Sequence, residues 1–224
     1  ELIMLQGKVV VVTGANGALG RAAVALAAEQ GAEVVELDLR FDSAPGARQH
    51  AVDLTDAAAT AACLSAIGRI DVVLNIAGGF AMGPAVHETT PEQWLHMTRM
   101  NVDTARNVMT AVVPGMLARG RGSIVNVGAL SAREGQANMS AYCVAKSTVM
   151  RLTESLSKEL RAKGINVNAV LPSIIDTPTN RADMPDADAT RWVSADALAA
   201  VIAFLLSDDA SAVTGSLIPV CGRV

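Results

Sequence analysis

A tyrosine and a lysine four residues apart form the first pair in this sequence whose spacing suits chemistry. Tyr142 and Lys146 fall within a stretch that predicts a helix, Ser140 to Lys163, so both side chains project from one face. A free phenol has a pKa of about 10, which makes it a poor proton shuttle at neutral pH. A neighbouring ammonium group favours the phenolate and lowers that pKa. The pair therefore predicts a general acid that donates a proton to a reacting group.

A glycine-rich turn near the start of the chain has the spacing of a phosphate-binding loop. It follows a valine run, Lys8 to Thr13, that predicts a buried strand, and it precedes an alanine-rich stretch that predicts a helix. A pyrophosphate needs bare backbone N–H groups at a helix N-terminus, and glycine removes the side chains that would block them. The turn therefore predicts dinucleotide binding by Gly14, Asn16, Gly17, Ala18, Leu19 and Gly20.

Acidic residues end the next two predicted strands. Asp38 ends the second strand, where a carboxylate accepts hydrogen bonds from the adenosine ribose and repels a 2′-phosphate. Arg40 could bind that phosphate instead, but Asp38 favours NAD(H) over NADP(H) as the cofactor. Asp53 ends the third strand and is placed to touch the adenine ring, and we expect Leu54 beside it to contact the cofactor as well.

Strands and helices alternate along the chain without a linker or an internal repeat. About seven strands separated by helices predict an α/β fold, a Rossmann-type doubly wound parallel sheet with helices on both faces. We expect residues 1–224 to form a single domain. The segment 173–194 is rich in Pro, Asp and Thr and lacks a clear period. A segment of this length in a compact domain usually carries function, so we assign it as the substrate loop.

Composition argues against several other classes of protein. The net charge is −4 with acids and bases interspersed, which lacks the basic cluster of a nucleic-acid-binding protein. The longest apolar run, Ala197 to Leu206, is too short to cross a bilayer. Three histidines and three cysteines share no metal-ligand spacing, and the odd number of cysteines suits free thiols in a reducing cytoplasm. We therefore expect a cytoplasmic protein with a small-molecule substrate and no metal, nucleic-acid or membrane partner.

Together these motifs resemble the short-chain dehydrogenase/reductase family over essentially the whole chain. The matching elements are the glycine turn, Asp53, the Asn75–Gly78 stretch, Asn101, the Tyr142–Lys146 stretch and the segment after Pro172. The resemblance implies an NAD(P)-dependent oxidoreductase in which Tyr142, Lys146 and Asn101 are catalytic. Asn101 would hold a water in a proton relay through Lys146, which would also bind the nicotinamide ribose. Further implied cofactor contacts are Asn75, Ala77, Gly78, Pro172, Ile174, Ile175 and Thr177.

One position departs from the family pattern. Thirteen residues before Tyr142, where the family carries a serine that holds the substrate carbonyl, this chain has Ala129. The sequence also resembles the dihydropteridine reductase branch, which lacks the serine and reduces an electron-poor quinonoid dihydropterin. That resemblance predicts NAD(P)H-dependent reduction of such an imine-like substrate, with substrate contacts from Phe80, Ala129, Met139, Met184 and Trp192.

The sequence leaves two alternative functions open, and it also predicts an oligomeric state. The first alternative is a family dehydrogenase/reductase acting on an unknown carbonyl or alcohol, with Ser131 or a water in place of the serine. The second is a non-catalytic dinucleotide sensor, against which the intact Tyr142, Lys146 and Asn101 argue. The family also pairs two long helices across a two-fold axis, here Pro91 to Val113 and Ser140 to Lys163, so we expect a homodimer or a homotetramer.

Overall fold

A seven-stranded parallel sheet forms the centre of the computed structural model, which describes residues 3–224. The strands of the chain are β1 (Val9–Thr13), β2 (Glu33–Asp38), β3 (Gln49–Ala51), β4 (Val72–Asn75), β5 (Gly122–Val127), β6 (Ile165–Pro172), β7 (Ile175–Asp176), β8 (Val193–Ser194) and β9 (Leu217–Val220). The main sheet has the order β3-β2-β1-β4-β5-β6-β9, and β7 pairs with β8 separately. All of these pairings are parallel.

Seven α-helices accompany the strands within residues 3–224: α1 (Ala18–Glu29), α2 (Ala57–Ile67), α3 (Pro91–Thr98), α4 (Thr104–Arg119), α5 (Ser140–Leu160), α6 (Pro178–Asp183) and α7 (Ala195–Leu206). Side chains of β1 alternate between two cores, as the pleat of a strand requires. Val10 and Val12 pack in one core with α1 and α7, while Val11 packs in the other with α4. Helices therefore cover both faces, which confirms the Rossmann-type doubly wound sheet.

Local sequence signals set several helix ends. Asp56 caps α2 by accepting hydrogen bonds of 2.9 Å from the backbone N–H groups of Ala58 and Ala59. Thr90 and Gln93 form a capping box at the start of α3, where Pro91 is the first helical residue. Gly120 ends α4 in the left-handed conformation with φ of 67°. These ends fix where each helix meets the sheet.

The structure divides the predicted helix Pro91 to Val113 into two. A π-helical turn, Arg99–Asp103, separates α3 from α4, which continues to Arg119. The turn contains the buried Asn101, whose Nδ2 atom donates 3.1 Å hydrogen bonds to the carbonyl oxygens of Met97 and Gly79. Single π-helical turns within helices are frequent at functional sites. A regular helical periodicity gives no sign of the extra residue.

The segment 173–194 is more ordered than its composition suggested. It contains β7, the short helix α6 and β8. Thr177 caps α6 by accepting a 3.1 Å hydrogen bond from the backbone N–H of Asn180, and Pro178 begins the helix. The Arg181 guanidinium also binds both carboxylate oxygens of Asp176, at 2.6 and 2.8 Å. The segment is thereby folded along the carboxyl ends of the strands.

Candidate active site

A cleft of about 850 Å³ lies at the carboxyl edge of the sheet, beside the adjacent strands β1 and β4. The strand order reverses there, since β2 and β3 follow on one side of β1 while β4 and later strands lie on the other. Ligands of open α/β sheets bind at such a reversal. The volume is within the range of about 300–1,000 Å³ that is usual for small-molecule and cofactor sites.

The glycine turn forms one wall of this cleft and fits a pyrophosphate. Gly14 has a φ of +65°, and a Cβ atom there would lie 2.9 Å from the backbone nitrogen of Ala77. A Cβ on Gly20 would lie 2.1 Å from the carbonyl oxygen of Gly14, so side chains are excluded at both positions. Gly17 begins α1 without a side-chain cap, and a Cβ there would meet nothing closer than 3.5 Å. The space above the first N–H groups of α1 is therefore open to an anion.

Asp38 is anchored to the same turn. One carboxylate oxygen accepts a 2.9 Å hydrogen bond from the backbone N–H of Asn16, and the other accepts a 2.7 Å bond from that of Leu39. Asp53, across the cleft, accepts hydrogen bonds from the side chain and the backbone of Thr55, and these bonds lower the pKa of its carboxyl. Both acids therefore border the cleft as fixed carboxylates.

The structure gathers most of the proposed cofactor contacts around this cleft. Those that line it are Gly14, Asn16, Gly17, Ala18, Leu19, Gly20, Asp38, Asp53, Leu54, Ala77, Gly78 and Thr177. Pro172, Ile174 and Ile175 belong to the segment that precedes Thr177 and do not line it. Arg40 also borders the cleft, together with residues that the sequence analysis did not single out: Ile76, His96, Arg99, Met100, Thr104 and Thr179. The π-helical turn brings Arg99 and Met100 there, which no local pattern signalled.

Asn75 does not line the cleft; its side chain joins elements of the fold. Its Nδ2 atom donates a 2.9 Å hydrogen bond to Asn126 of β5, whose own Nδ2 donates a 2.9 Å bond to Thr153 of α5. All three side chains are buried. Asn75 therefore joins two strands to the helix that carries Tyr142, and it can affect the cofactor only through this packing.

Lys146 and Asn101 meet above Gly78. The Lys146 side chain is 6% exposed, and its Nζ atom donates a 2.9 Å hydrogen bond to the carbonyl oxygen of Val127. A Cβ atom on Gly78 would lie 2.6 Å from Asn101 Oδ1 and 3.3 Å from Lys146 Nζ, so only glycine fits between them. Burial lowers the pKa of Lys146 to about 8. Gly78 lines the cleft, so Lys146 and Asn101, which flank Gly78, lie next to the cleft.

The surroundings of Tyr142 correct one expectation. Burial raises the pKa of the Tyr142 hydroxyl to about 12, whereas the Lys146 ammonium was expected to lower it. The causes are desolvation of the phenol by burial and, after it, the neighbouring Cys143. The Nζ atom of Lys146 donates its hydrogen bond to Val127. Tyr142 is therefore protonated at neutral pH, which suits a proton donor. Its ring packs edge-on against Phe80, with the centroids 5.0 Å apart and the planes at 79°.

Ala129, at the position of the family serine, is buried among apolar side chains. Ala129 is 4% exposed and packs in one cluster with Cys143, Met150, Leu171 and Tyr142. Ser131 belongs to the following short 3-10 helix, and its carbonyl oxygen accepts a 3.6 Å hydrogen bond from the Cys143 thiol. Replacement of the family serine by Ser131 or by a water therefore stays a prediction.

A second cavity, of about 240 Å³, has Tyr142 in its wall. The wall also includes Met139 and Ser140 from the start of α5 and Glu92, Gln93 and His96 from α3. His96 belongs to the walls of both this cavity and the cofactor cleft.

The other proposed substrate contacts divide into two groups. Met139 lines the cavity, whereas Phe80 is not part of its wall, is 60% exposed and contacts the Tyr142 ring. Met184 and Trp192 do not border the cavity. Met184 ends α6, and Trp192 is buried with its backbone against Gly222 near the end of the chain. Burial away from the cavity fits ordinary packing of Trp192 instead of the predicted substrate contact.

A loop that borders the cavity was not anticipated. Asn138 lines the wall and adopts a left-handed backbone with φ of 59°. Its carbonyl oxygen accepts a hydrogen bond from the backbone N–H of Gly83, which joins the loop before α5 to the loop after β4. Asparagine tolerates this conformation better than most residues. An Asn at this place in the sequence is the only signal that could have indicated it.

The fold, the glycine turn and the cleft define a dinucleotide-binding α/β protein, and comparisons with known proteins agree. The family model described as short chain dehydrogenase matches residues 8–188. Bovine (Bos taurus) L-xylulose reductase is 33% identical over 98% of this chain and 97% of its own. The chain belongs to the short-chain dehydrogenase/reductase family and is an NAD(P)-dependent oxidoreductase of that family.

Solved structures give the same result. A provisionally named NAD(P)-dependent gluconate 5-dehydrogenase of Beutenbergia cavernae, with bound NADP, superposes with a TM-score of 0.90 and 30% identity over 99% of this chain and 98% of its own. A 3-oxoacyl-[acyl-carrier protein] reductase of Brucella melitensis, with bound NAD, has a TM-score of 0.88 and 27% identity over 100% of this chain and 93% of its own. These three relatives are not named for a pterin, so they support the family and not its dihydropteridine reductase branch.

Within residues 3–224 no helix is both long and apolar enough to span a membrane.

Proposed function

We propose that this protein interconverts a carbonyl group and a hydroxyl group on a small, polar molecule, using NAD(H). The observation that carries the proposal is the position of Tyr142, which lies in the wall of the small cavity while Lys146, four residues along α5, meets Asn101 beside the cofactor cleft. A bound nicotinamide would accept or supply hydride at this junction.

The chain's own groups provide the proton. In reduction, the Tyr142 hydroxyl donates its proton to the substrate oxygen, which becomes the hydroxyl of the product. The burial that raises the pKa of Tyr142 to about 12 keeps this proton in place until the substrate oxygen gains charge. Lys146 and Asn101 stand on the path by which the proton is replaced, and Lys146 also suits binding to the nicotinamide ribose.

NAD(H) is proposed over NADP(H) because of Asp38. Its fixed carboxylate borders the cleft at the glycine turn, where it can accept hydrogen bonds from ribose hydroxyls and repel a 2′-phosphate. We also propose cofactor contacts for further residues that line the cleft: Gly14, Asn16, Gly17, Ala18, Leu19, Gly20, Asp53, Leu54, Ala77, Gly78 and Thr177.

The names of two relatives, L-xylulose reductase and the gluconate 5-dehydrogenase, favour a hydroxylated substrate. The cavity wall is mostly apolar, but Glu92, Gln93, His96, Asn138 and Ser140 belong to it and supply a few polar groups. The experiment is turnover of NADH with a panel of sugars and simple ketones, and of NAD⁺ with the matching alcohols. Failure of the whole panel would contradict the proposal.

A quinonoid dihydropterin is the second candidate substrate. The specific observations in its favour are the buried Ala129 in place of a polarising serine and the exposed Phe80 ring beside Tyr142, on which a flat heterocycle could stack. The same NADH assay with quinonoid dihydropterin distinguishes the two. Turnover of the pterin without turnover of any carbonyl compound would favour this candidate.

We also propose that the protein assembles as a dimer, or as a tetramer that contains this dimer, through α4 and α5. A surface groove of about 310 Å³ lies between these helices, and the side chains of Met109, Val113, Leu152 and Leu156 line it. Two copies of this helix pair across a two-fold axis would cover the groove.

A further inference from the structure

Asn16 connects the cofactor cleft to a charged cluster on the outer side of the glycine turn. Its backbone N–H donates to Asp38 at 2.9 Å. Its side-chain oxygen accepts a 2.7 Å hydrogen bond from the Arg21 guanidinium, and its side-chain nitrogen donates a 3.2 Å bond to Asp42. Asn16 therefore binds Asp38 through its backbone, and it binds Asp42 and Arg21 through its side chain.

The cation is engaged by these partners. Arg21 Nε donates a 2.8 Å hydrogen bond to the carbonyl oxygen of Asn16, and an Nη atom pairs with the carboxylate of Asp42. The hydrogen bonds from Arg21 and then Asn16 lower the pKa of Asp42, and the charges of Arg21 and Arg40 lower it further. Asp42 is thus a carboxylate that pairs with Arg21 and that feels the charge of Arg40 without contacting it.

Arg40 is the other member of the cluster. It borders the cleft two residues after Asp38, and within residues 3–224 its side chain forms no ion pair. Two arginines therefore lie near the adenosine end of a site that we propose to be selective for NAD(H). Guanidinium groups are the usual ligands of a 2′-phosphate. A preference for NAD(H) therefore requires another group that opposes the attraction between these two arginines and that phosphate.

We propose that Asp42 is a specificity-determining residue that weakens binding of NADP(H) by holding Arg21 away from the cleft and by offsetting the charge of Arg40. This inference rests on the proposed function, because it assigns a role toward the NAD(H) of that site. Asp42 would thus be a second carboxylate beside Asp38, and it need not contact the cofactor. Asp38 would repel the 2′-phosphate and Asp42 would neutralise nearby cations, and both effects weaken binding of NADP(H).

The size of the effect is limited by solvent. The side chains of Arg21 and Asp42 are 58% and 75% exposed, so their charges are screened by salt. Loss of the Asp42 charge should therefore change the ratio of dissociation constants by roughly three- to tenfold at low ionic strength. The change should shrink as salt is added, which loss of folding or of packing would not produce.

The test is the binding of NAD⁺ and NADP⁺ by titration calorimetry, without substrate, at about 20 mM and about 500 mM salt, two conditions on either side of a Debye length of about 10 Å. Asp42→Asn should lower the ratio of the NADP⁺ to the NAD⁺ dissociation constant at low salt. Adding Arg21→Gln to this variant should reverse part of the fall in the ratio, since Arg21 is the cation that Asp42 neutralises. Glu33→Gln is the matched control, because Glu33 pairs with Arg48 on the surface of β2 and borders no part of the cleft.

The outcomes separate the inference from the function on which it rests. An unchanged ratio in an Asp42→Asn protein that still binds NAD⁺ overturns the inference alone. A change that is equal in the Glu33→Gln control, or that is insensitive to salt, also overturns it. If the unaltered protein binds neither dinucleotide, the proposed function fails and the inference fails with it.

Discussion

The Nζ atom of Lys146 donates a 2.9 Å hydrogen bond to the carbonyl oxygen of Val127 at the end of β5. This bond holds the side chain against the sheet, and within residues 3–224 no hydrogen bond joins it to the Tyr142 hydroxyl. We propose that Lys146 serves the cofactor and the proton path from this position while Tyr142 keeps its proton. On this proposal the two side chains have separable roles.

Substitution of each residue should reveal this separation. Tyr142→Phe keeps the ring that packs against Phe80 and removes the hydroxyl. Turnover should fall about a hundredfold or more, the usual contribution of a general acid, while the NADH dissociation constant stays constant. Lys146→Ala should impair both quantities. Lys158→Ala, at an exposed site on α5, is the control. A Tyr142→Phe enzyme with full turnover would show that another group donates the proton.

The raised pKa of Tyr142 gives the two directions of reaction opposite responses to pH. Oxidation of an alcohol needs the phenolate, whose fraction rises tenfold per pH unit below the pKa of about 12, so kcat/KM for oxidation should rise through pH 9. Reduction needs the phenol, and it should be level until Lys146, with a pKa of about 8, loses its proton. Initial rates from pH 6 to 9 in both directions measure this. An oxidation rate that is already level at pH 7 would contradict it.

Asp38 should set much of the cofactor preference. Asp38→Ala removes both the ribose acceptor and the charge that repels a 2′-phosphate, so the preference for NADH over NADPH should narrow or reverse. Steady-state kcat/KM for the two cofactors measures it. Should the unaltered enzyme prefer NADPH, Arg40 would be the dominant group at this position and the assignment of Asp38 would be wrong.

A serine at the family position tests which substrate the site accepts. Ala129 lines neither cavity, so its contact with substrate stays a prediction from the family pattern. If a hydroxyl at this position holds the substrate carbonyl as in the family, Ala129→Ser should raise activity toward ketones and sugars. For a dihydropterin it should have little effect, or it should lower activity by crowding the buried cluster around Ala129. Ala132→Ser, at another buried site in the following turn, is the control for packing. No gain toward any carbonyl compound would argue against the carbonyl proposal and for the pterin.

The proposed interface predicts a dimer or a larger assembly at micromolar concentration. Leu156→Glu places a charge in the groove between α4 and α5 and should dissociate the assembly, because an unpaired charge is costly to bury. Light scattering with size-exclusion chromatography measures the mass, and circular dichroism shows whether the variant remains folded. A monomer in the unaltered protein would refute the interface.

The sequence by itself determined the sheet, the glycine turn and the carboxylate after β2. These features depend on local rules: a valine run with helical neighbours, glycine where a Cβ would collide, and an acid at the end of a strand. It also determined that Ala129 brings no hydroxyl, since a missing atom needs no structure to be recognised.

Only the tertiary structure decided how the catalytic groups are set. The π-helical turn that buries Asn101, the left-handed Asn138 and the position of Asn75 between strands arise from contacts between segments far apart in the chain. The pKa of Tyr142 likewise depends on which groups exclude water from it. Desolvation and hydrogen-bond geometry are properties of packing, so residue type and spacing do not specify them.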